Sequence, residues 1–85
     1  MLKLNRVMDL KEQYHELYKK IGLKISYYRK LKGLTQEALS EIINKSTAFL
    51  GSVEAPNIDC AISLDTLFDI AAALDVAPYK FLIDD

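Results

Sequence analysis

Two short amphipathic stretches, separated by only two residues, constrain the fold of this chain more than any other feature of its sequence. Residues 35–43 read TQEALSEII and residues 46–54 read STAFLGSVE, and in both the apolar residues recur at intervals of three and four. This spacing predicts two helices. Asn44 lies between them, and asparagine is the residue that, after glycine, best tolerates the positive φ of a tight turn.

The segment before this pair is also expected to be helical. Asp9 and Glu12 resemble a capping box, so the helix is expected from about residue 10, and Gly33 is the expected stop. The spacing does not decide whether Gly22 interrupts it. The apolar stripe consists of Leu10, Tyr14, Leu17, Ile21, Ile25, Tyr28 and Leu31.

The remaining helix boundaries follow from capping residues and prolines. Thr35, Ser46 and Ser63 are expected N-caps, Pro56 ends the third helix, and Pro78 begins a short fifth one. The inner faces are predicted to be Ala38, Leu39, Ile42 and Ile43 in the second helix, Leu50 and Val53 in the third, and Leu64, Leu67, Phe68, Ala71 and Leu74 in the fourth. Because strand-like alternation is lacking, the sequence predicts an all-α fold of five helices.

Length and composition exclude several classes of protein. Eighty-five residues form one domain with one core, and 51% apolar with 27% charged residues is typical of a globular protein. One cysteine, Cys60, excludes an internal disulfide, and with a single histidine, His15, it cannot supply a four-ligand zinc site. Lys3, Arg6 and Asp9 interrupt the amino terminus, so neither a signal peptide nor a membrane span is expected and the protein is predicted to be cytoplasmic.

The charge distribution is uneven along the chain although the net charge is only -1. Residues 1–45 contain ten Lys/Arg and five Asp/Glu, or +5, whereas residues 46–85 contain one lysine and seven acids, or -6. Such polarity allows one basic face to meet a polyanion while the opposite side stays acidic.

Specific residues give the chain a family resemblance. They are Ile21-Gly22, Arg29, the run GLTQEAL at 33–39, Ser46, Leu50, Val53, Glu54 and the run SLDTLFDIAAALDV at 63–76. From Ile21 to about Leu82 the chain resembles the lambda-repressor-like (Cro/C1, XRE-type) helix-turn-helix family of bacterial and phage transcriptional regulators. The resemblance implies a five-helix DNA-binding domain over residues 16–85, with its motif at about 35–55, preceded by an amino-terminal extension over residues 1–15.

The resemblance also assigns structural roles. Ser40 lies where the two helices of the motif cross, and a small side chain is expected there. Arg29 and Glu54 match a pair that in this family often forms a salt bridge between the first and third helices. The chain departs from the family pattern at the turn, where Asn44 replaces the usual glycine and Lys45 the usual hydrophobic residue.

In this family the third helix lies in the major groove of DNA, which makes part of it a candidate surface for reading bases. The candidates are Thr47, Ala48, Phe49, Gly51 and Ser52. None is Arg, Lys, Asn or Gln, the side chains that usually read guanine and adenine. Hydroxyl groups and apolar contacts with thymine methyl groups remain, so a preference for A·T pairs is expected. Gly51 is either simply tolerated or allows close approach of the backbone.

The family match and the basic charges together predict contacts with phosphates. The candidates are Gln36, which matches the family glutamine at the start of the second helix, and Lys30, Lys32, Lys45 and Ser46. A solvated charged face is the alternative reading of the lysines.

The resemblance implies a sequence-specific DNA-binding regulator, expected to act as a repressor, that occupies operator DNA as a homodimer. Tyr14, Leu17, Leu23 and Tyr27 are candidates for the subunit contact; the alternative for the amino-terminal extension is a helix that only covers the core. The alternative is a protein-interaction module on the same scaffold, with Phe49 either an anchor for a protein partner or packed against the core. Neither catalytic activity nor a cofactor or metal is expected, because the chain offers no set of nucleophile, base and orienting group.

Overall fold

The computed structural model describes residues 7–58 and 60–83, with side chains from Tyr14 onward. Four α-helices follow one another in these residues: α1 (Val7–Leu31), α2 (Gln36–Ile42), α3 (Thr47–Glu54) and α4 (Leu64–Leu74). No strand occurs in this part of the chain. The all-α class predicted from the sequence is therefore confirmed.

The predicted fifth α-helix is wrong. Pro78–Phe81 forms a single 3₁₀ turn, in which the Lys80 N–H donates to the Ala77 carbonyl (3.0 Å) and the Leu82 N–H to the Tyr79 carbonyl (2.9 Å). Proline does begin this element. Four residues form too few hydrogen bonds to offset the free-energy cost of nucleating an α-helix, whereas the i→i+3 hydrogen bonds of a 3₁₀ turn form within four residues.

The first helix is longer than the sequence indicated. It runs through 25 residues without interruption at Gly22, and it begins before Asp9, so that residue is not its N-cap. The carboxyl end agrees with the sequence: Gly33 adopts φ +78° directly after the helix, where a Cβ would be strained.

The helix-turn-helix boundaries are set by local hydrogen bonds. The side-chain oxygens of Thr35, Ser46 and Ser63 each accept a hydrogen bond from the backbone N–H three residues later, at 3.0–3.1 Å. Asn44 adopts φ +58°, which fits the sequence-based reading of the turn. These caps fix where α2, α3 and α4 begin.

The core draws on every described helix and on the 3₁₀ turn. Its buried apolar residues are Ile25, Leu39, Ile43, Leu50, Val53, Leu67, Ile70, Ala71, Leu74 and Phe81. Three residues predicted to face inward are exposed: Ile42 (58%), Leu64 (63%) and Phe68 (49%). Ile42 and Phe68 are each one position removed from a core residue, and Leu64 is the first residue of α4. The buried stripe of a helix is narrower than the full set of its apolar residues.

Two small residues allow the helices to approach one another closely. A Cβ added to Gly22 would collide with the backbone carbonyl of Val53, so α1 and α3 pack at this point without an intervening side chain. Ser40, expected at the crossing of α2 and α3, is 2% exposed. The contact at Gly22 sets how closely α3 approaches α1.

No helix within residues 7–58 and 60–83 combines the length and the apolar character that crossing a membrane requires.

Candidate nucleic-acid interface

A buried ion pair joins the end of α1 to the end of α3. The Arg29 guanidinium donates from Nε to Glu54 Oε2 (2.8 Å) and from a terminal nitrogen to Glu54 Oε1 (2.9 Å). Its other terminal nitrogen donates to the Leu34 carbonyl (2.7 Å). Such two-pronged geometry fixes the relative orientation of the two helices.

The hydrogen bonds that Arg29 donates to Glu54, aided by the negative charge of Glu54, raise the pKa of Arg29 above its ordinary value, although burial opposes this shift. The guanidinium is therefore permanently charged, so Glu54 always faces a positive charge.

Gln36 completes a cluster that sequence spacing did not reveal. Its Nε2 donates to Glu54 Oε1 (3.0 Å), so one carboxylate receives bonds from α1 and from the first residue of α2. The partners are 18 and 25 residues apart in the sequence. We call Arg29, Gln36 and Glu54 the three-helix cluster.

The outward surface of α3 carries the predicted base-reading residues. Thr47 and Ala48 are exposed, while Gly51 and Ser52 are half-buried. A Cβ on Gly51 would lie 3.6 Å from Gln36 Oε1, an ordinary van der Waals distance. The structure thus brings a candidate base reader and a candidate phosphate ligand side by side, and it leaves room for a larger residue at position 51.

The Phe49 side chain is turned towards the core. Its ring is half-buried and packs against the core, and Lys45 Nζ lies 5.7 Å from the ring centroid. Position 49 lies one turn before Val53, at the edge of the buried stripe, where a large ring reaches the core more readily than a small side chain. This is the core-packed alternative that the sequence left open.

Apart from Gln36, the candidate phosphate ligands occupy two separate segments. Lys30 and Lys32 lie at the carboxyl end of α1, and Lys45 lies in the turn before α3; all three are exposed. The Ser46 oxygen accepts from the Phe49 N–H as the N-cap of α3, which leaves its hydroxyl hydrogen able to donate elsewhere.

Asp65 and Asp69 are exposed on α4, and the Cys60 thiol lies 4.0 Å from the Ala61 carbonyl oxygen. No group of three potential metal ligands occurs among the residues that the structure describes.

Comparisons with known proteins agree with this geometry. The family model described as Helix-turn-helix matches residues 25–81. The master regulator for biofilm formation SinR, solved in complex with DNA, is 33% identical over 74% of this chain and 98% of its own, with a TM-score of 0.68. The restriction-modification controller protein C.AhdI from Aeromonas hydrophila is 30% identical over 75% of this chain and 94% of its own, with a TM-score of 0.69. No curated protein sequence matches significantly. The chain therefore belongs to the Cro/C1-type (XRE) helix-turn-helix family of DNA-binding transcriptional regulators.

Proposed function

We propose that this protein binds operator DNA sequence-specifically and represses transcription by occupying it, with α3 lying in the major groove. The observation that carries the proposal is the joint surface of α2 and α3: Gly51 of α3 adjoins Gln36 of α2, Thr47 and Ala48 at the start of α3 are exposed, and Lys45 is exposed in the turn before them. A protein 33% identical to this chain has been solved in complex with DNA. Such a regulator acts where the genome is, in the bacterial cytoplasm.

Base reading in this proposal relies on small groups. Thr47 and Ser52 offer hydroxyls, Ala48 offers a methyl group, and Gly51 lets the backbone come close to the base edges. Phe49 can offer only the exposed part of its ring. Small groups of this kind can contact the thymine methyl group, but they cannot form the bidentate hydrogen bonds that long side chains make with guanine or adenine. The preferred sites are therefore expected to be rich in A·T.

The first prediction tests this sequence preference. Selection from random duplexes should yield A·T-rich sites, and replacing thymine by uracil at the contacted positions should weaken binding by about 1 kcal/mol for each buried methyl group. Ala48→Gly should reduce the uracil effect, whereas Ala72→Gly, on the exposed face of α4, serves as a control for the loss of a methyl group from a helix. Equal affinity for all duplexes would contradict sequence-specific binding and favour the protein-interaction alternative.

The second prediction concerns phosphate contacts. The logarithm of the DNA affinity should fall linearly with the logarithm of the salt concentration, with a slope of about -0.9 per neutralised phosphate. Lys45→Ala should make this slope shallower by about one unit, because it removes one phosphate contact. Lys80→Ala removes an exposed lysine of the acidic half of the chain and should leave the slope unchanged. Identical slopes for the parent and Lys45→Ala would exclude Lys45 from the contact set.

The proposed active form is a homodimer that binds two half-sites. Tyr14, Leu17, Leu23 and Tyr27 remain 44–58% exposed along α1. Tyr14 and Leu17 also line a groove of about 360 Å³ together with Phe81, Leu82 and Ile83. Exposed apolar groups that line a groove are typical of interaction sites.

The third prediction tests the dimer. Light scattering should give about twice the chain mass of 9.6 kDa. Leu17→Glu should lower the measured mass to that of the monomer, because a carboxylate would be buried without a partner in the subunit contact. Phe68→Glu places the same charge on the exposed side of α4 and should have no effect. If Phe68→Glu alone dissociates the dimer, the subunit contact lies on α4 instead.

A further inference from the structure

We propose that the Arg29–Glu54 ion pair is a positioning device for DNA binding, because it holds the Gln36 amide in the orientation that meets a phosphate. This inference rests on the proposed function and extends it. Arg29 and Glu54 are thus positioning residues, and Gln36 is the group that touches the DNA backbone.

The donor inventory of Gln36 permits both contacts at once. A side-chain amide carries two N–H donors, and only one is directed at Glu54 Oε1, at 3.0 Å. The second N–H is geometrically fixed as soon as the first is bound, because the amide group is planar. Gln36 is half-buried and lies at the first position of α2, beside the outward surface of α3.

Glu54 can serve as a rigid acceptor because Arg29 restrains both of its oxygens. Nε binds Oε2 at 2.8 Å and a terminal nitrogen binds Oε1 at 2.9 Å, so the carboxylate cannot rotate away from Gln36. Glu54 is itself 8% exposed. A glutamine without such a restraint would have to lose its rotamer freedom on binding DNA, which lowers affinity.

Arg29 has a second effect in this arrangement. A carboxylate adjoining the DNA-binding surface would repel the phosphates, and the neighbouring guanidinium neutralises it. Arg29 and Glu54 together therefore provide a fixed acceptor of no net charge. Neither residue alone could provide this.

The test separates positioning from stability with four proteins: the parent, Gln36→Ala, the double variant Arg29→Met with Glu54→Leu, and the triple variant. Gln36→Ala should weaken duplex binding about tenfold, since hydrogen bonds to charged groups have this magnitude. The double variant, whose apolar residues fill the same volume, should keep near-parental stability towards denaturant but bind DNA equally weakly. Gln36→Ala should then cost nothing further in the triple variant. Asn57→Ala, an exposed amide in the loop after α3, is the control and should bind like the parent.

A double variant that binds DNA as tightly as the parent would overturn the inference, as would an equal cost of Gln36→Ala in both backgrounds. The free parent provides a second measurement if the double variant does not fold. The order parameter of the Gln36 side-chain amide should be about 0.85, the value of rigid backbone, and a value below about 0.6 would also overturn the inference. A parent that binds no duplex at low salt overturns the proposed function together with this inference, whereas a parent that binds while the variants behave additively overturns the inference alone.

Discussion

Replacing Glu54 with alanine is expected to lower the free energy of unfolding by about 3–5 kcal/mol, because it leaves a buried guanidinium without its partner. Arg29 is 7% exposed, and its bonds to Glu54 are 2.8 and 2.9 Å long. The variant also removes the carboxylate that accepts a hydrogen bond from Gln36. Urea denaturation followed by circular dichroism measures the change, and the slope of the transition shows whether the compactness of either state has changed.

The double variant Arg29→Met with Glu54→Leu is the matched control for this loss. Apolar residues of similar volume often replace a buried ion pair without loss of stability, so most of the deficit should be recovered. Recovery would show that the cost of Glu54→Ala comes from the unpaired charge. If Glu54→Ala proves as stable as the parent, the pair is hydrated in solution and does not hold α1 against α3.

Replacing Gly22 with alanine should cost about 2–3 kcal/mol, since overpacking at a tight contact forces the backbone to shift. The obstacle is the Val53 carbonyl, which belongs to α3 and cannot move aside as a flexible side chain would. The helix propensity of alanine offsets only about 1 kcal/mol of this cost. Because the shift moves α3 itself, DNA affinity should fall even at temperatures where the variant is folded.

Gly51→Ala makes the same chemical change as Gly22→Ala but is expected to raise stability instead of lowering it. The nearest atom to a Cβ at this position is Gln36 Oε1 at 3.6 Å, and the residue is helical, so the variant should be more stable by about 1 kcal/mol. If DNA binding is nevertheless weakened, Gly51 serves close approach to the groove. A destabilised Gly51→Ala together with a neutral Gly22→Ala would contradict both packing arguments.

Local features of the sequence were sufficient for the class of fold and for most helix boundaries. Ser46 and Asn44 act within a few residues of their own positions, through a hydrogen bond to the next turn and through a permitted positive φ. The sequence-based predictions were wrong where local features were too weak to decide how long an element is or which side of it is buried. Pro78 begins a helical element, but the element ends after four residues, and Phe68 continues an apolar stripe that the neighbouring elements do not cover.

The candidate site was only partly predictable for the same reason. The resemblance to the family supplied Gln36 and the pair Arg29 and Glu54 as separate proposals, one for phosphate contact and one for helix orientation. The hydrogen bond that links them depends on where α2 and α3 lie relative to each other, and no spacing in the sequence encodes it. The burial of the Phe49 ring likewise became clear only from the packed core, because adjacent positions of a helix can differ in whether their side chains face outward or inward.

The sequence by itself determined an all-α chain with three N-capped helices, a tight turn at Asn44 and a basic amino-terminal half, because propensity, capping and charge act between neighbours in the chain. Only the tertiary structure decided that Gly22 permits contact between α1 and α3, and that one carboxylate joins Arg29 to Gln36. These contacts connect residues 18–31 positions apart, and their geometry exists only once the helices have packed around a common core.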